Sequence, residues 1–435
     1  MSILLNVMEI LKQGTLVQHQ ALHGLPYFTA LEGQKLEMAS YAGWLAALRV
    51  VFEVLEQAFQ RAACPGVVSW GVEVTGKRAL VEQDWRHFTA RGLPEPVRAM
   101  LQAHLFAQKI RRRALLEPRS LPGYWYVFEG SMLGGTLLKI QYARCFHLDP
   151  LSGGLDYLSC HGLSVKCQWE EFGQKMQAMD WKPSEVAGLA AAANEAFEAM
   201  TNIFIALHPL DADACSFRAD ALNFEAGKHV VTNDIRELEA VFRAGERTWQ
   251  VFPYCRLRYG ERGERFTHSD SAWLTALSEN EQVVVDEQIH WLGGLLAVRG
   301  MPTWMLESHL HILHDELVTA VPEKHQTYRR LLLAAHRLHQ RRQRCIDDAC
   351  FEMLAGWFDQ HADAEWTRKM PGTGGLLVSA VVDERSGIQN AVGALAGWLT
   401  DASRFPQAWR EAVQELIVQA KAASVEAPRA SEPVK

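Results

Sequence analysis

Tyr126-Val-Phe-Glu-Gly-Ser-Met-Leu-Gly-Gly135 sets three glycines in an otherwise apolar, helical stretch, where each costs roughly 1 kcal/mol relative to alanine. A helix that carries them needs bare backbone. On a continuous helix Gly130 and Gly134, four apart, share one face and form a flat strip against which a large planar ligand can lie. Far upstream, His19 stands on a second predicted helix, able to approach such a ligand from its other side.

Around this stretch the periodicity is helical almost throughout. Residues 4–22 have helical character, and Tyr41, Leu45, Leu48, Phe52, Leu55 and Phe59 form a core-facing stripe. Further helices are predicted over 94–113, 124–145, 169–179 and 184–207, the last opened by Ser184 and Glu185. Periodicity lapses after His208, where Pro209 and a run of aspartates suggest a linker over 211–229. Beyond it the pattern predicts a short extended piece over 251–259, a loop at Gly260-Glu-Arg-Gly263, and helices over 270–299, 303–320, 324–360, 386–399 and 406–422. Residues 423–435 are small, polar and carry two prolines, and read as a disordered tail. The expected fold is all-α, with one domain over 1–210 and a second, mostly helical domain over 230–422.

A chain of 435 residues suits two cores better than one. Its net charge of −7 argues against a general nucleic-acid surface. The eight cysteines, at 64, 145, 160, 167, 215, 255, 345 and 350, form no Cys-x-x-Cys pair and read as reduced thiols. No uninterrupted apolar run reaches the roughly 18 residues of a membrane helix, and residues 1–11 lack a basic leader. The expectation is a cytoplasmic protein without membrane insertion.

A histidine on the first helix, followed about 110 residues later by a glycine-rich helix, resembles the heme oxygenase family. Leu11-Lys-Gln-Gly-Thr-Leu-Val-Gln-His19 is similar to the family's proximal helix, in which a threonine precedes the iron-binding histidine by four. Tyr126 to Gly135 is similar to the distal helix of the bacterial subgroup associated with bacteriophytochromes. Trp169-Glu-Glu-Phe172 and the helix from Ala190 to Phe204 resemble that subgroup's closing elements. The resemblance covers about residues 1–210. It implies a helical bundle that clamps heme and opens it to biliverdin, carbon monoxide and iron, using O2 and electrons from a separate reductase. By motif position His19 would be the axial iron ligand, and Gly130 and Gly134 would lie on the distal heme face. Ser131 would stand in the distal water network, and Lys12 would reach a propionate, with Lys166 and Lys175 as vaguer candidates for the second. Two positions depart from the family: Thr136 stands where glutamine is common, and His161-Gly162 where Tyr-Gly is usual.

Other readings stay open. His19 and the glycines could serve a heme sensor or carrier without turnover, or the fold could hold a non-heme di-iron oxidase using Glu53, Glu56 and Glu129. His23, four residues on, competes with His19, although Gly24 and Pro26 suggest that the helix ends there. In the second half, His309, His311 and His314 share one predicted helix without sharing one face, and His336 and His339 stand on the next. Arg329, Arg330, Arg337, Arg341, Arg342 and Arg344 form a basic run, mostly a solvated face, with docking of an acidic electron-transfer protein as the minority reading.

Overall fold

The computed structural model describes residues 6–62, 64–93, 96–151, 153–210, 217–228, 230–232 and 234–425. They divide into two compact units, Met1–Phe217 and Arg218–Lys435.

In the first unit α1 (Val7–His23), α2 (Pro26–Glu32), α3 (Met38–Arg61), the short α4 (Pro65–Val68) and α5 (Gly71–Thr89) are followed by α6 (Val97–Leu116), α7 (Leu121–Ser131), α8 (Gly135–Phe146), α9 (Val165–Ala178) and α10 (Pro183–Leu207). The centre of the core is α3, whose predicted stripe from Tyr41 to Phe59 is wholly buried against α5 and α6. By length and composition α3 could cross a membrane, but here it is the unit's inner helix. Large aromatic side chains fill the space around it, including Trp70, Trp125, Tyr142 and Tyr157, each stabilising by roughly 1.5–3 kcal/mol through the apolar area it removes from water. Behind α1, α6 and α7 runs α10.

The helix α5 was not legible from hydrophobic periodicity. Val74, Val81 and Phe88 are buried at heptad spacing, but the intervening positions of the same stripe are Lys77 and Asp84, also buried. Tertiary partners make those charges tolerable. Lys77 pairs with Glu129 at 2.7 Å, and Asp84 accepts the backbone N–H groups of Asp156 and Tyr157.

The second unit begins inside the segment read as linker. Of residues 211–229, those at 211–216 and 229 lie outside the described residues; β1 (Phe217–Arg218) and the short α11 (Ala219–Leu222) are ordered, and β1 pairs with β2 (Val230–Thr232). Then come α12 (Ile235–Val251), α13 (Tyr254–Leu277), α14 (Gln282–Ala297), α15 (Thr303–Ala320), α16 (His325–Gln343), α17 (Asp348–His361), α18 (Ala364–Lys369), α19 (Thr373–Arg385), α20 (Ala391–Leu399) and α21 (Gln407–Ala423). The extended piece at 251–259 and the loop at 260–263 are corrected: Val251 ends α12, and α13 begins at Tyr254 and passes through 260–263 with a kink at Gly260, whose φ of +53° glycine adopts without strain. Predicted helix 270–299 breaks at Ser278, and 324–360 breaks before Asp347, whose carboxylate caps α17 by accepting the Cys350 N–H. No periodicity announced α19, because it is buried on every side. Of the predicted tail, Val425 donates its N–H to Cys345 O at 2.9 Å, and 426–435 lie outside the described residues. The seven described cysteines are free thiols.

Candidate functional site

Asn6 caps α1 by accepting the Glu9 N–H, and the helix closes at Gly24, just past His23. Val7, Leu11 and Thr15 are its buried positions, seating it on α10 and α9. Asn194 of α10 donates to Gly14 O at 3.2 Å. Lys12, Leu16, Val17 and His19 are left exposed. The Thr15 hydroxyl donates to Leu11 O at 2.7 Å and neighbours the phenol of Tyr126 on α7. One turn past Thr15, the His19 ring stands edge-on to Phe197 and His23, with centroids at 6.0 and 4.8 Å. It makes no hydrogen bond among the described residues. Partial burial, and then the neighbouring His23, lower its pKa, so the ring is neutral at pH 7 and keeps a nitrogen lone pair for a metal.

The glycine segment is not the continuous helix expected from sequence. After Ser131 the chain tightens into a 3-10 turn over Met132–Gly134 and resumes as α8, so the three glycines meet different surroundings. A Cβ on Gly130 would lie 3.3 Å from the ring of Trp169, which stacks on Phe172 at 5.3 Å and packs against Tyr126. A Cβ on Gly135 would sit 2.2 Å from Leu158 O, a backbone atom. A Cβ on Gly134 would meet nothing within 4 Å. The shared flat strip is therefore corrected: Gly130 receives Trp169, Gly135 is a packing contact, and only Gly134 presents bare backbone to open space. Around it Leu133, Leu137 and Ile140 are exposed at i, i+4 and i+7, an apolar face with no protein cover. Ser131 is exposed and donates to Phe128 O at 2.7 Å.

Thr15 on α1 and Tyr126 on α7 are neighbours, one turn before His19 on the first segment and one turn before Gly130 on the second.

Sequence reasoning missed what anchors the bend from behind. Glu129 is buried and lies 2.7 Å from both Lys77 Nζ and His161 Nε2, with Lys77 over the Trp125 ring. The one trace of it was His161 standing where the family has tyrosine. Of the remaining candidates, Lys12 and Lys166 are exposed without a partner among the described residues, while Lys175 pairs with Glu73 at 2.7 Å and covers Trp70. The carboxylates needed by a di-iron site are engaged: Glu56 accepts from Arg78 and Thr75, each at 2.7 Å, and Glu129 as above. Among the described residues no group of three or more His, Cys, Asp or Glu is placed to hold a metal ion. That includes the histidines of α15 and α16, where His339 lies against Glu307 and Asp348.

Comparison with known proteins bears on the first unit. The heme oxygenase family model matches residues 5–206. No curated protein matches the chain. Among solved structures, the chain is similar to heme oxygenase from Leptospira interrogans at 20% identity, covering 46% of this chain and 98% of that one, with a TM-score of 0.40. It is also similar to heme oxygenase-1 from the cyanobacterium Synechocystis in complex with heme, at 18% identity, covering 47% of this chain and 93% of that one, with a TM-score of 0.41. Through residues 5–206, the N-terminal unit of this chain belongs to the heme oxygenase family.

Proposed function

We propose that the N-terminal unit binds heme as substrate and opens it oxidatively to biliverdin, carbon monoxide and iron, with O2 and electrons from a separate reductase. The observations that carry this reading are a neutral His19 without a hydrogen bond among the described residues, on the helix whose Thr15 neighbours Tyr126 of the glycine-bearing segment, and the bare backbone of Gly134. Bound heme supplies both an iron that takes up dioxygen and the porphyrin carbon that is oxidised.

The protein's part is positional and electrostatic. His19 would hold the iron through a neutral imidazole, which pushes less electron density onto it than a thiolate does. Phe197 and His23 limit the ring's rotation. Gly134 would let the macrocycle edge approach the main chain, and Leu133, Leu137 and Ile140 would cover its apolar face and exclude water. Ser131 would hold water near the distal face, and Lys12 would pair with a propionate. The Lys77–Glu129–His161 group keeps the bend fixed. Within the arginine run of the second unit, Arg330 donates to Ser278 O, Arg337 pairs with Asp286 and Arg342 with Asp348, so that docking of an acidic electron donor there would fall to the exposed Arg329, Arg341 and Arg344.

A heme sensor or carrier without turnover is the second reading, favoured by Trp169 closing the Gly130 face and by Thr136 in the distal motif. Heme titration of wild type and His19→Ala, followed by addition of reductant in air, separates the readings. Oxidative opening predicts a Soret band that depends on His19 and then gives way to biliverdin absorption. A carrier keeps its heme spectrum, and an unchanged spectrum in His19→Ala moves the ligand elsewhere.

A further inference from the structure

The second unit contains a cavity of about 680 Å³ lined by residues from α12, α13, α14 and α15, within the range of cavities that enclose one small molecule. Its walls are largely apolar and aromatic, with Trp249, Phe266, Leu274, Leu296 and Met305 among them.

Most polar groups that face it are already engaged. His309 is bonded at both ring nitrogens, Nδ1 to Thr248 Oγ1 at 2.7 Å and Nε2 to Ser271 Oγ at 2.9 Å. Glu225 holds Arg262 at 2.6 Å, and the Cys255 thiol lies 3.5 Å from Met305 Sδ. Asp270 differs. Its carboxyl lines the cavity and has no hydrogen bond or ion pair among the described residues. Burial pushes its pKa up to about 6, opposed by the charge of Arg299. Arg299 also lines the cavity, is exposed, and its guanidinium has no partner among the described residues.

A partnerless carboxylate inside an apolar cavity is costly unless a donor completes it. The complementary ligand therefore offers N–H donors toward Asp270, an anionic group toward Arg299, and an extended apolar body for the aromatic walls. A fatty acid satisfies Arg299 and strands Asp270; an aliphatic amine does the reverse. Heme fits poorly, because its four nitrogens are taken by iron and neither His309 nor Cys255 is free to become an axial ligand. We propose that this cavity binds a linear tetrapyrrole, with Asp270 accepting from its pyrrole N–H groups and Arg299 meeting a propionate. The choice of ligand rests on the reading of the first unit given above. Attachment is non-covalent, since burial pushes the Cys255 thiol up to about 12 and keeps it protonated.

The test adds biliverdin directly to the full-length protein and follows its absorption bands, so that it does not depend on turnover. Wild type and His19→Ala are expected to bind alike. Asp270→Asn should weaken binding about tenfold, and Arg299→Ala several-fold, as loss of single polar contacts in a desolvated site does. Leu274→Trp, which fills the cavity, should abolish binding with circular dichroism unchanged. Binding that survives both Asp270→Asn and Leu274→Trp, binding lost only with His19→Ala, or heme affinity that falls with Asp270→Asn would each overturn the proposal. Biliverdin production by a protein whose added biliverdin ignores Asp270 removes this cavity and leaves the first unit's reading intact. Asp270-dependent binding without heme turnover does the opposite.

Discussion

His19 and His309 are both neutral at pH 7, and they are neutral for different reasons. His19 lies on the exposed side of α1, beside His23, with no hydrogen bond among the described residues. His309 is buried, bonded at both nitrogens, and its pKa falls to about 4 because burial disfavours its charged form. A metal needs a lone pair that nothing else has taken, so of the two rings the exposed, underused one is the candidate proposed as ligand and the fully satisfied one is structural. The same lesson divides neighbouring glycines: Gly135 is committed to Leu158 O, while Gly134 is committed to nothing.

The largest expected effect tests the structural side of this contrast. His309→Ala should lower the unfolding free energy of the second unit by about 3 kcal/mol at pH 7, through lost hydrogen bonds and lost volume, without moving the heme spectrum. Denaturant unfolding beside a heme titration checks both halves; a lost Soret band in this variant would erase the distinction between the rings.

A pH series sharpens it. Because His309 titrates near 4 when folded and near 6.5 when unfolded, its contribution is fully present above 6.5 and is lost as pH falls toward 4, a difference of roughly 3 kcal/mol. Asp270 and Asp383, each pushed up to about 6 by burial, act in the other direction. Their contribution falls as pH rises from the ordinary carboxylate range through about 6. The readout is therefore the wild-type minus His309→Ala difference, which should shrink between pH 7 and pH 4; a constant difference contradicts the buried neutral ring.

Smaller changes divide the glycines. Gly135→Ala forces Leu158 to move and should cost the first unit roughly 2 kcal/mol in thermal or denaturant unfolding. Gly134→Ala should change stability by less than about 1 kcal/mol, and in the favourable direction if helix propensity dominates, while weakening heme binding several-fold. Equal destabilisation by the two substitutions would show that Gly134 is a packing glycine as well. Least of all, Lys12→Ala should weaken heme binding by a few-fold, as an exposed ion pair worth about 0.5 kcal/mol does, with the loss vanishing at high salt.

Much of the first unit was legible because its chemistry is local. A histidine four after a threonine, and a glycine run that no helix tolerates without reason, announced the two motifs. What lay hidden was whatever depends on partners distant in sequence. The stripe of α5 carries Lys77 and Asp84, which read as surface until Glu129 and the backbone of Asp156 and Tyr157 are seen beside them. In the second unit α19 has no polar face to give it a period, and the bend of α13 at Gly260 imitated a loop. Nothing in the sequence around Asp270 sets it apart, since an aspartate in a polar stretch is ordinary until packing gives it apolar neighbours.

By itself the sequence determined the all-α character and the family of the first unit, and it singled out His19 and a glycine-bearing segment as candidates, because helix periodicity and short-range motifs are written in consecutive residues. Only the tertiary structure decided which glycine stays bare, which histidine keeps a free nitrogen, and which cavity-lining carboxylate lacks a partner. Each of those depends on atoms brought close by packing from far along the chain, and desolvation, contact and hydrogen-bond completion act through space.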